Sequence, residues 1–385
     1  MAGTRVQGRL TQADLSRWRL IEDFRARLAQ TCQRQGLAPT WSDPQRLLAA
    51  ADYLSLFLFG LLNPVVQTMR GLCAASHLER VQKQVCSRPV SLGSFSEAQH
   101  VLEPALLAEV FGRLAQALPR ADAPAGRRWL LQDSSLFEAL PRMYWALWRR
   151  QGRAQSQVRL HLSLDLQTGG PVHAAITPGK TCERATWRRQ WQRGEAYVGD
   201  RYFAEDYKLF EELSQAGVAF VVRLRDEASV HVEEELAAAA GDGLARVWRS
   251  AWVHLGCRPS YRTGRLRVIW VQTAKEKLRL LTNLGPEELS AGEVALLYKE
   301  RWQIELFFRW VKCILGCRHW LAESPRGVAV ELYLALIGAL LLQLYTGARP
   351  QRRLMEMIRW YLVGVATLEE LCRAVEQATA ARQKS

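Results

Sequence analysis

Lysine is scarce in this chain: eight of its 52 basic residues are lysines, and arginine supplies the rest. The opening MAGTRVQGRLTQADLSRWR has no apolar core, which predicts no signal peptide and a cytoplasmic setting. Long hydrophobic runs are missing too. The longest, Leu332 to Leu342, stops at Glu331 and Gln343, too short to cross a bilayer, and predicts a buried helix rather than a membrane anchor. Cysteine is thinly spread, eight along the chain, which predicts reduced thiols rather than a disulfide framework. Cys313, Cys317 and His319 lack the second ligand pair of a zinc finger, so a core-facing thiol pair is expected there. No His-Glu-x-x-His stretch exists. TPGKT at 177–181 has Ala174 where a phosphate loop needs glycine, and no glycine elbow surrounds Ser134 and Ser135. Internal repeats and low-complexity tracts are absent as well.

What is abundant is positive charge. The 52 basic residues exceed the 38 acidic ones by 14, and the pI is about 9.7. That surplus favours a polyanionic partner, with nucleic acid first among candidates. The 385 residues, 49% hydrophobic and 23% charged, suffice for two or three domains.

Residues 1–120 read as helical. Asn63-Pro64 predicts a helix start, and 87–98 predicts a loop with a cap near Ser96. This region reads equally as a DNA-binding or assembly module and as a helical cap on the next domain. From Arg127 the period changes. RRWLLQD predicts a strand ending at Asp133. VRLHLSLDL (158–166) alternates strictly, with Val158, Leu160, Leu162, Leu164 and Leu166 on one face and Arg159, His161, Ser163 and Asp165 on the other. Gly169-Gly170 predicts a turn and PVHAAIT its hairpin partner. A helix over ERATWRRQW comes after it, then the strand EAYVGD ending at Asp200. The helix EDYKLFEELSQAG closes at Gly217, before the buried strand VAFVVRLR. Strand ends in such α/β sheets line the active-site crevice. The stretch 226–287 predicts several further strands, and the chain is helical again after 322. The expected divisions are 1–120, 121–225, 226–287, 288–322 and 323–385. They correspond to a helical region, the first part of an α/β core, a β-rich insertion, a helix completing the core, and a C-terminal helical region.

The run YKERWQIELFFRWVK places Tyr298, Arg301, Glu305 and Lys312 at helical-face steps of +3, +4 and +7. At about 100° per residue they share a roughly 60° sector. Leu297, Ile304, Phe308, Val311 and Leu315 form an apolar stripe beside it. A carboxylate between two cations on an anchored helix suits phosphate chemistry: the acid can ligate a metal, and the cations can bind phosphate oxygens. Asp133, Asp200 and Glu305 together offer hard oxygen donors for Mg²⁺ or Mn²⁺, two ions being the common arrangement, and Asp133 is best placed to bridge them. Either aspartate taken singly reads as a turn or cap residue; the order of all three on this fold pattern carries the inference. Glu138, Glu183 and Glu195 compete for the third position, but Glu305 is preferred as the one lying between cations on a shared face. His161 and His173 are expected to be structural.

These residues resemble a family, the IS4-type DDE transposases of insertion sequences. The resemblance rests on LQDSSLFEALPRMYWALW, on YVGDRYFAEDYKLFEELSQAGVAFVVRLR, and on the Tyr-x2-Arg-x3-Glu-x6-Lys signature. It covers most of the chain. It implies a ribonuclease-H-like core, metal ligation by Asp133, Asp200 and Glu305, and contacts from Tyr298, Arg301 and Lys312 to the DNA phosphates of the transposon end. It further implies cut-and-paste chemistry through a DNA hairpin, double-stranded DNA ends and target as partners, and a homodimer on paired ends. In such enzymes a tryptophan of the β insertion can hold a flipped base. Trp248, Trp252 and Trp270 lie in that region, each expected in the core, with no choice among them. One departure from the family pattern is visible: Tyr202 follows Arg201 where glycine is usual. A host-adopted DNA-binding protein that has lost the reaction, and a structure-specific nuclease, are the alternative functions.

Overall fold

A computed structural model of the chain describes residues 19–35, 47–120, 126–150, 153–237, 245–257, 262–274, 276–314 and 320–383. The N-terminal part is helical: α1 (Arg19–Arg34), α2 (Ala50–Leu62), α3 (Met69–Ala75), α4 (Glu79–Gln84), α5 (Leu92–Val101) and α6 (Pro104–Gln116). In α2 every residue but Ala51 is buried, as an apolar sequence without a polar face requires. Its one acid, Asp52, is paired with Arg25 at 2.8 Å.

Two sequence expectations fail here. Asn63 ends α2 rather than starting a helix: its side chain accepts the N–H groups of Val65 and Val66, an Asx turn that competes with helical bonding. The segment 87–98 is not all loop, because Ser91 caps α5 by accepting from Ser94 N–H, five residues before Ser96.

Among the described residues, ten strands then build a single sheet. They are β1 (Arg128–Glu138), β2 (Leu147–Arg150), β3 (Arg153–Asp165), β4 (Pro171–Pro178), β5 (Glu195–Gly199), β6 (Ala219–Arg223), β7 (Val230–Leu236), β8 (Ala245–Leu255), β9 (Leu266–Thr273) and β10 (Lys277–Thr282). Helices α7 (Glu183–Trp187) and α8 (Tyr207–Gln215) connect β4, β5 and β6. The central order is β4-β3-β1-β5-β6. β1, β5 and β6 run parallel, and β3 is antiparallel to β1 and β4. This is the ribonuclease-H-like arrangement. The strands of 226–287 do not form a separate layer: β10 pairs antiparallel with β6, so β10, β9, β8 and β7 prolong the same sheet. α7 is five residues long, shorter than ERATWRRQW suggests.

The alternation of β3 holds, but its polar face is buried as well. His161, Ser163 and Asp165 have no exposed surface and find partners in Thr177, Gln132 and Arg128. Buried polar groups persist where they are paired. At the turn after β3, Gly169 has φ +69°, and Arg349 packs where its side chain would stand.

The chain ends in five helices: α9 (Ala291–Glu300), α10 (Trp302–Ile314), α11 (Pro325–Thr346), α12 (Arg352–Leu362) and α13 (Leu368–Gln383). α11 is long and apolar enough to cross a membrane, but it packs inside the protein against α2, α5, α6 and β4. The N-terminal helices and the sheet are joined through it and through α6, which packs directly on β4. Leu332 to Leu342 falls within this helix, and every residue of that run but Tyr333 is buried.

Candidate active site

The register between β1 and β5 creates the crevice. Their last parallel pair is Leu131 with Val198. Two residues further on, the strands reach Asp133 and Asp200, where β5 has already ended at Gly199. β1 does not stop at Asp133 as its sequence suggests. It continues to Glu138, held there by β3 alone. Asp133 thus lies in mid-strand, at the point where one neighbour departs and a hollow opens.

The turn after Asp200 explains the missing glycine. Tyr202 adopts ordinary right-handed helical angles, φ −66° and ψ −34°, and its N–H donates to Asp200 Oδ1 at 2.9 Å. No positive φ is demanded there. The close approach falls instead at Gly199, where a Cβ would stand 2.8 Å from the Phe203 ring.

The helical signature lies on two helices rather than one. α9 ends at Glu300 and α10 begins at Trp302, with Arg301 at the joint. Arg301 keeps helical angles, and its N–H donates to Tyr298 O in a tightened turn, so the side chains still share one side. Ser290 and Glu293 form a capping box at the start of α9, and buried Arg267 on β9 donates to Leu289 O just before it. α10 packs on β1 through Ile304, Phe308 and Val311, all buried. Leu315 lies outside the described residues.

Arg301 is the hub of the site. Its guanidinium stands 2.6 Å from Glu305 and 3.7 Å from Asp133, and 5.8 Å above the Tyr298 ring. Burial opposes the charge on Arg301, but Tyr298, Glu305 and Asp133 outweigh it, so its pKa is raised. Its buried Nε has no partner among the described residues. Burial pushes the Asp133 carboxyl up to about 7. The Glu183 and Asp200 carboxylates push the same way, and the Ser134 N–H, 2.7 Å from Oδ1, and Arg301 pull it back. Burial raises the Tyr298 hydroxyl too, against the pull of Arg301 and Arg223. Lys312 stands apart from the acids. Its ammonium lies 5.3 Å above the Phe137 ring, further along β1.

Asp133, Asp200, Arg301, Glu305 and Tyr298 are therefore neighbours. Yet among the described residues no three acidic, His or Cys side chains stand close enough to hold one ion. Between two of the acids, Asp133 and Glu305, stands the Arg301 guanidinium. The donor set still fits a hard divalent cation. It is all carboxylate oxygen, and burial, with the neighbouring carboxylates, disfavours the bare charge on Asp133 that such a cation would offset.

Glu183 also belongs to this neighbourhood. It faces both aspartates: its own carboxyl is raised by burial and by Asp200, and lowered by Ser134 and Arg159. The hint available in the sequence was the predicted β3–β4 hairpin, which returns the chain to the β1 side immediately before Glu183. Glu195 is committed elsewhere, to Arg128 and His173, and Glu138 is exposed at the strand's end. His161 contacts Thr177, and burial lowers its pKa to about 4.

Of the three tryptophans, Trp270 is 9% exposed and lies under the Arg249 guanidinium, and Trp252 lies under Arg265. Trp248 breaks the expectation of a core position: it is 46% exposed. A bulge between Val247 and Arg249 turns it out of the pleat. Cys313 is exposed rather than core-facing; Cys317 and His319 lie outside the described residues.

Residues 125–342 match the family described as Transposase DDE domain. The chain is 30% identical over 289 residues to the putative transposase y4zB of Sinorhizobium fredii, covering 73% of this chain and 78% of that protein. It is 26% identical over 212 residues to a probable transposase for insertion sequence element IS5377 of Geobacillus stearothermophilus, covering 54% of each. It is 21% identical over 313 residues to a putative transposase for insertion sequence element IS4SA of Synechocystis, covering 78% of this chain and 83% of that one.

Proposed function

The chain belongs to the DDE transposase family of insertion sequences, and from that premise we propose that Asp133, Asp200 and Glu305 are its divalent-ion ligands. The enzyme is a metal-dependent DNA transposase, and it binds, cleaves and joins DNA. The ions assigned to it are Mg²⁺ or Mn²⁺, two of them. When bound, they would lower the pKa of the attacking water or 3′-hydroxyl and offset charge on the leaving oxygen.

The protein's own groups do the positioning. Asp133 stands beside Asp200 and 3.7 Å from Arg301, and with Asp200 and Glu305 it would hold the metal. Arg301 has a planar fork and an unpartnered Nε, both matched to phosphate oxygens. As a DNA phosphate takes that fork, Glu305 loses its 2.6 Å partner and is freed toward the aspartates. Tyr298, on the β6 side near Arg223, and Lys312, along β1 over Phe137, extend the phosphate contacts to either side. The transfer is in line, with no covalent protein intermediate. Water attacks at the element's end and frees a 3′-hydroxyl. That hydroxyl attacks the opposite strand to form a hairpin, the hairpin is reopened, and the 3′ ends attack target DNA. Two ends must be held together, so the working form is a homodimer on double-stranded DNA, in the cytoplasm with the nucleoid. The N-terminal helices are assigned to DNA binding or assembly.

One observation carries this reading: a single guanidinium joins Asp133 to Glu305 at the crevice where β1 and β5 deliver two aspartates. The test is Mg²⁺-dependent cleavage of end-containing DNA by wild type and by Asp133→Ala. Cleavage only by wild type is expected; equal cleavage removes Asp133 from the mechanism. A strand-transfer product from pre-cleaved ends separates a transposase from a nuclease that only cuts.

A further inference from the structure

The joint between α9 and α10 aims Arg301, and its backbone is wound tighter than the helices it links. Arg301 N–H donates to Tyr298 O, and Ile304 N–H to Arg301 O, each at 3.2 Å and each a three-residue step. Such a break within a helical run is a natural hinge, so what holds its angle matters. One side chain crosses it. Gln303, in the first turn of α10, donates through its amide N–H to the carboxylate of Glu300, the last residue of α9. Its amide oxygen accepts from the Arg349 guanidinium. An amide suits this place because it donates at one end and accepts at the other. Glutamate could not donate to Glu300, and lysine could not accept from Arg349.

Arg349 is itself seated by the fold. It lies in the loop between α11 and α12, just after the left-handed Gly347 at φ +68°. Its guanidinium donates to Leu166 O at 2.9 Å, where β3 turns toward β4. It packs over Gly169, where a Cβ would stand 2.2 Å from its Nε. A line of contacts therefore starts on the sheet, at the end of the strand paired with β1, and ends at Glu300, one residue before Arg301. Helix stability alone does not call for it. α9 has its capping box, and α10 has Ile304, Phe308 and Val311 in the core. Those anchors hold each helix but leave the angle between them to the joint. Glu300, Gln303 and Arg349 are only half-buried, where polar bonds replace bonds to water and add little to folding.

We propose that Gln303 and Arg349 are positioning residues that set the α9–α10 angle and so place the Arg301 guanidinium between Asp133 and Glu305. This rests on the reading of Arg301 and the three acids as the working centre. The experiment measures single-turnover cleavage of end-containing DNA in Mg²⁺, equilibrium binding of the same DNA, and melting. The proteins are wild type, Gln303→Met, Arg349→Met, the double variant and Arg301→Lys. Methionine keeps an unbranched chain of good helix preference and removes the polar end. Each single variant is expected to cleave about 10- to 100-fold more slowly, the cost of a small misplacement, with DNA binding and melting temperature at wild-type values. The double variant is expected to be no slower than the slower single one, because both residues act along one line of contacts. Wild-type cleavage by Gln303→Met, with Arg301→Lys slow, overturns the brace and leaves Arg301 standing. Wild-type cleavage by Arg301→Lys overturns the role of Arg301, and this proposal with it. Losses that multiply in the double variant overturn the shared line, and weakened DNA binding by Arg349→Met alone overturns its positioning role in favour of a DNA contact. If Arg349→Met does not fold, Glu300→Met takes its place with the same expected slowing, and wild-type cleavage by it overturns the brace.

Discussion

The arginine at the centre of the site holds two acids that cannot both be bare. Arg301 neutralises part of the charge on Asp133 and Glu305 while the crevice lacks substrate, and its fork geometry is what permits both contacts. Arg301→Lys keeps the charge but offers a point donor in place of the fork. Single-turnover cleavage of end-containing DNA is expected to fall about 10²- to 10³-fold, the range for loss of one preorganised transition-state donor. Cleavage within a factor of three of wild type would contradict this role. Asp133 yields a second prediction. Its folded-state pKa, about 7, lies above its ordinary 3.8. Between those values the folded chain keeps a proton that the unfolded chain releases, so stability falls as pH rises across the window, by at most ~1.4 kcal/mol per unit. Asp133→Asn should therefore abolish cleavage yet unfold at higher urea than wild type above pH 7, and the gap should close toward pH 4. A variant less stable than wild type at pH 8 would show that the burial of this charge is compensated. At this scale the sequence singled out Asp133, Arg301 and Glu305 through a short apolar run and helical spacing, both local, although β1 runs on past Asp133 and the helix breaks at Arg301. Glu183 was not legible as a partner, because its neighbours lie on β1 and β5, far away in sequence.

Among the elements, α11 packs against α2, α5 and α6 on one side and β4 on another, and so helps to hold the helices to the sheet. Leu336 has no exposed surface on it, and Leu336→Ala is expected to cost ~2–5 kcal/mol in urea unfolding through the cavity left behind. The same helix carries Glu331, fully enclosed, accepting N–H bonds from Leu321 at 3.1 Å and Ala322 at 3.3 Å. Burial pushes its carboxyl up to about 8, from an ordinary 4.5. The sign is again that of a raised acid: stability declines as pH climbs from 4.5 to 8. Glu331→Gln keeps an oxygen acceptor and removes the titration. Its stability relative to wild type is expected to rise steadily over pH 5–8; a difference that stays constant over that range would refute the assignment. Strand and helix periods were readable in the sequence for β3, β4 and α8, whose patterns are regular. Boundaries were less so. Asn63 reverses its predicted role because its side chain bonds the following amides, and β1 outruns its apolar run because β3 supplies hydrogen bonds on one edge.

For the molecule as a whole, net charge sets how it meets DNA. A surplus of 14 positive charges implies binding through phosphates and counterion release, hence a steep loss of affinity with salt. Lys312, placed along β1 away from the acids, is expected to contribute one such contact. Lys312→Ala should weaken binding of end DNA and lower the slope of log affinity against log salt by about 1, with little change in sequence preference. An unchanged slope in an equilibrium binding series would place Lys312 off the DNA path. By itself the sequence determined the basic surface, the alternation of strands and helices, and the acids and cations suited to phosphate transfer. Each comes from composition or short-range periodicity. Only the tertiary structure decided that the strands of 226–287 prolong the central sheet, that Trp248 turns outward at a bulge, and that Arg301 stands between Asp133 and Glu305 with Glu183 facing the aspartates. Those are long-range contacts, set by sheet register and helix packing, and no local pattern of residues encodes them.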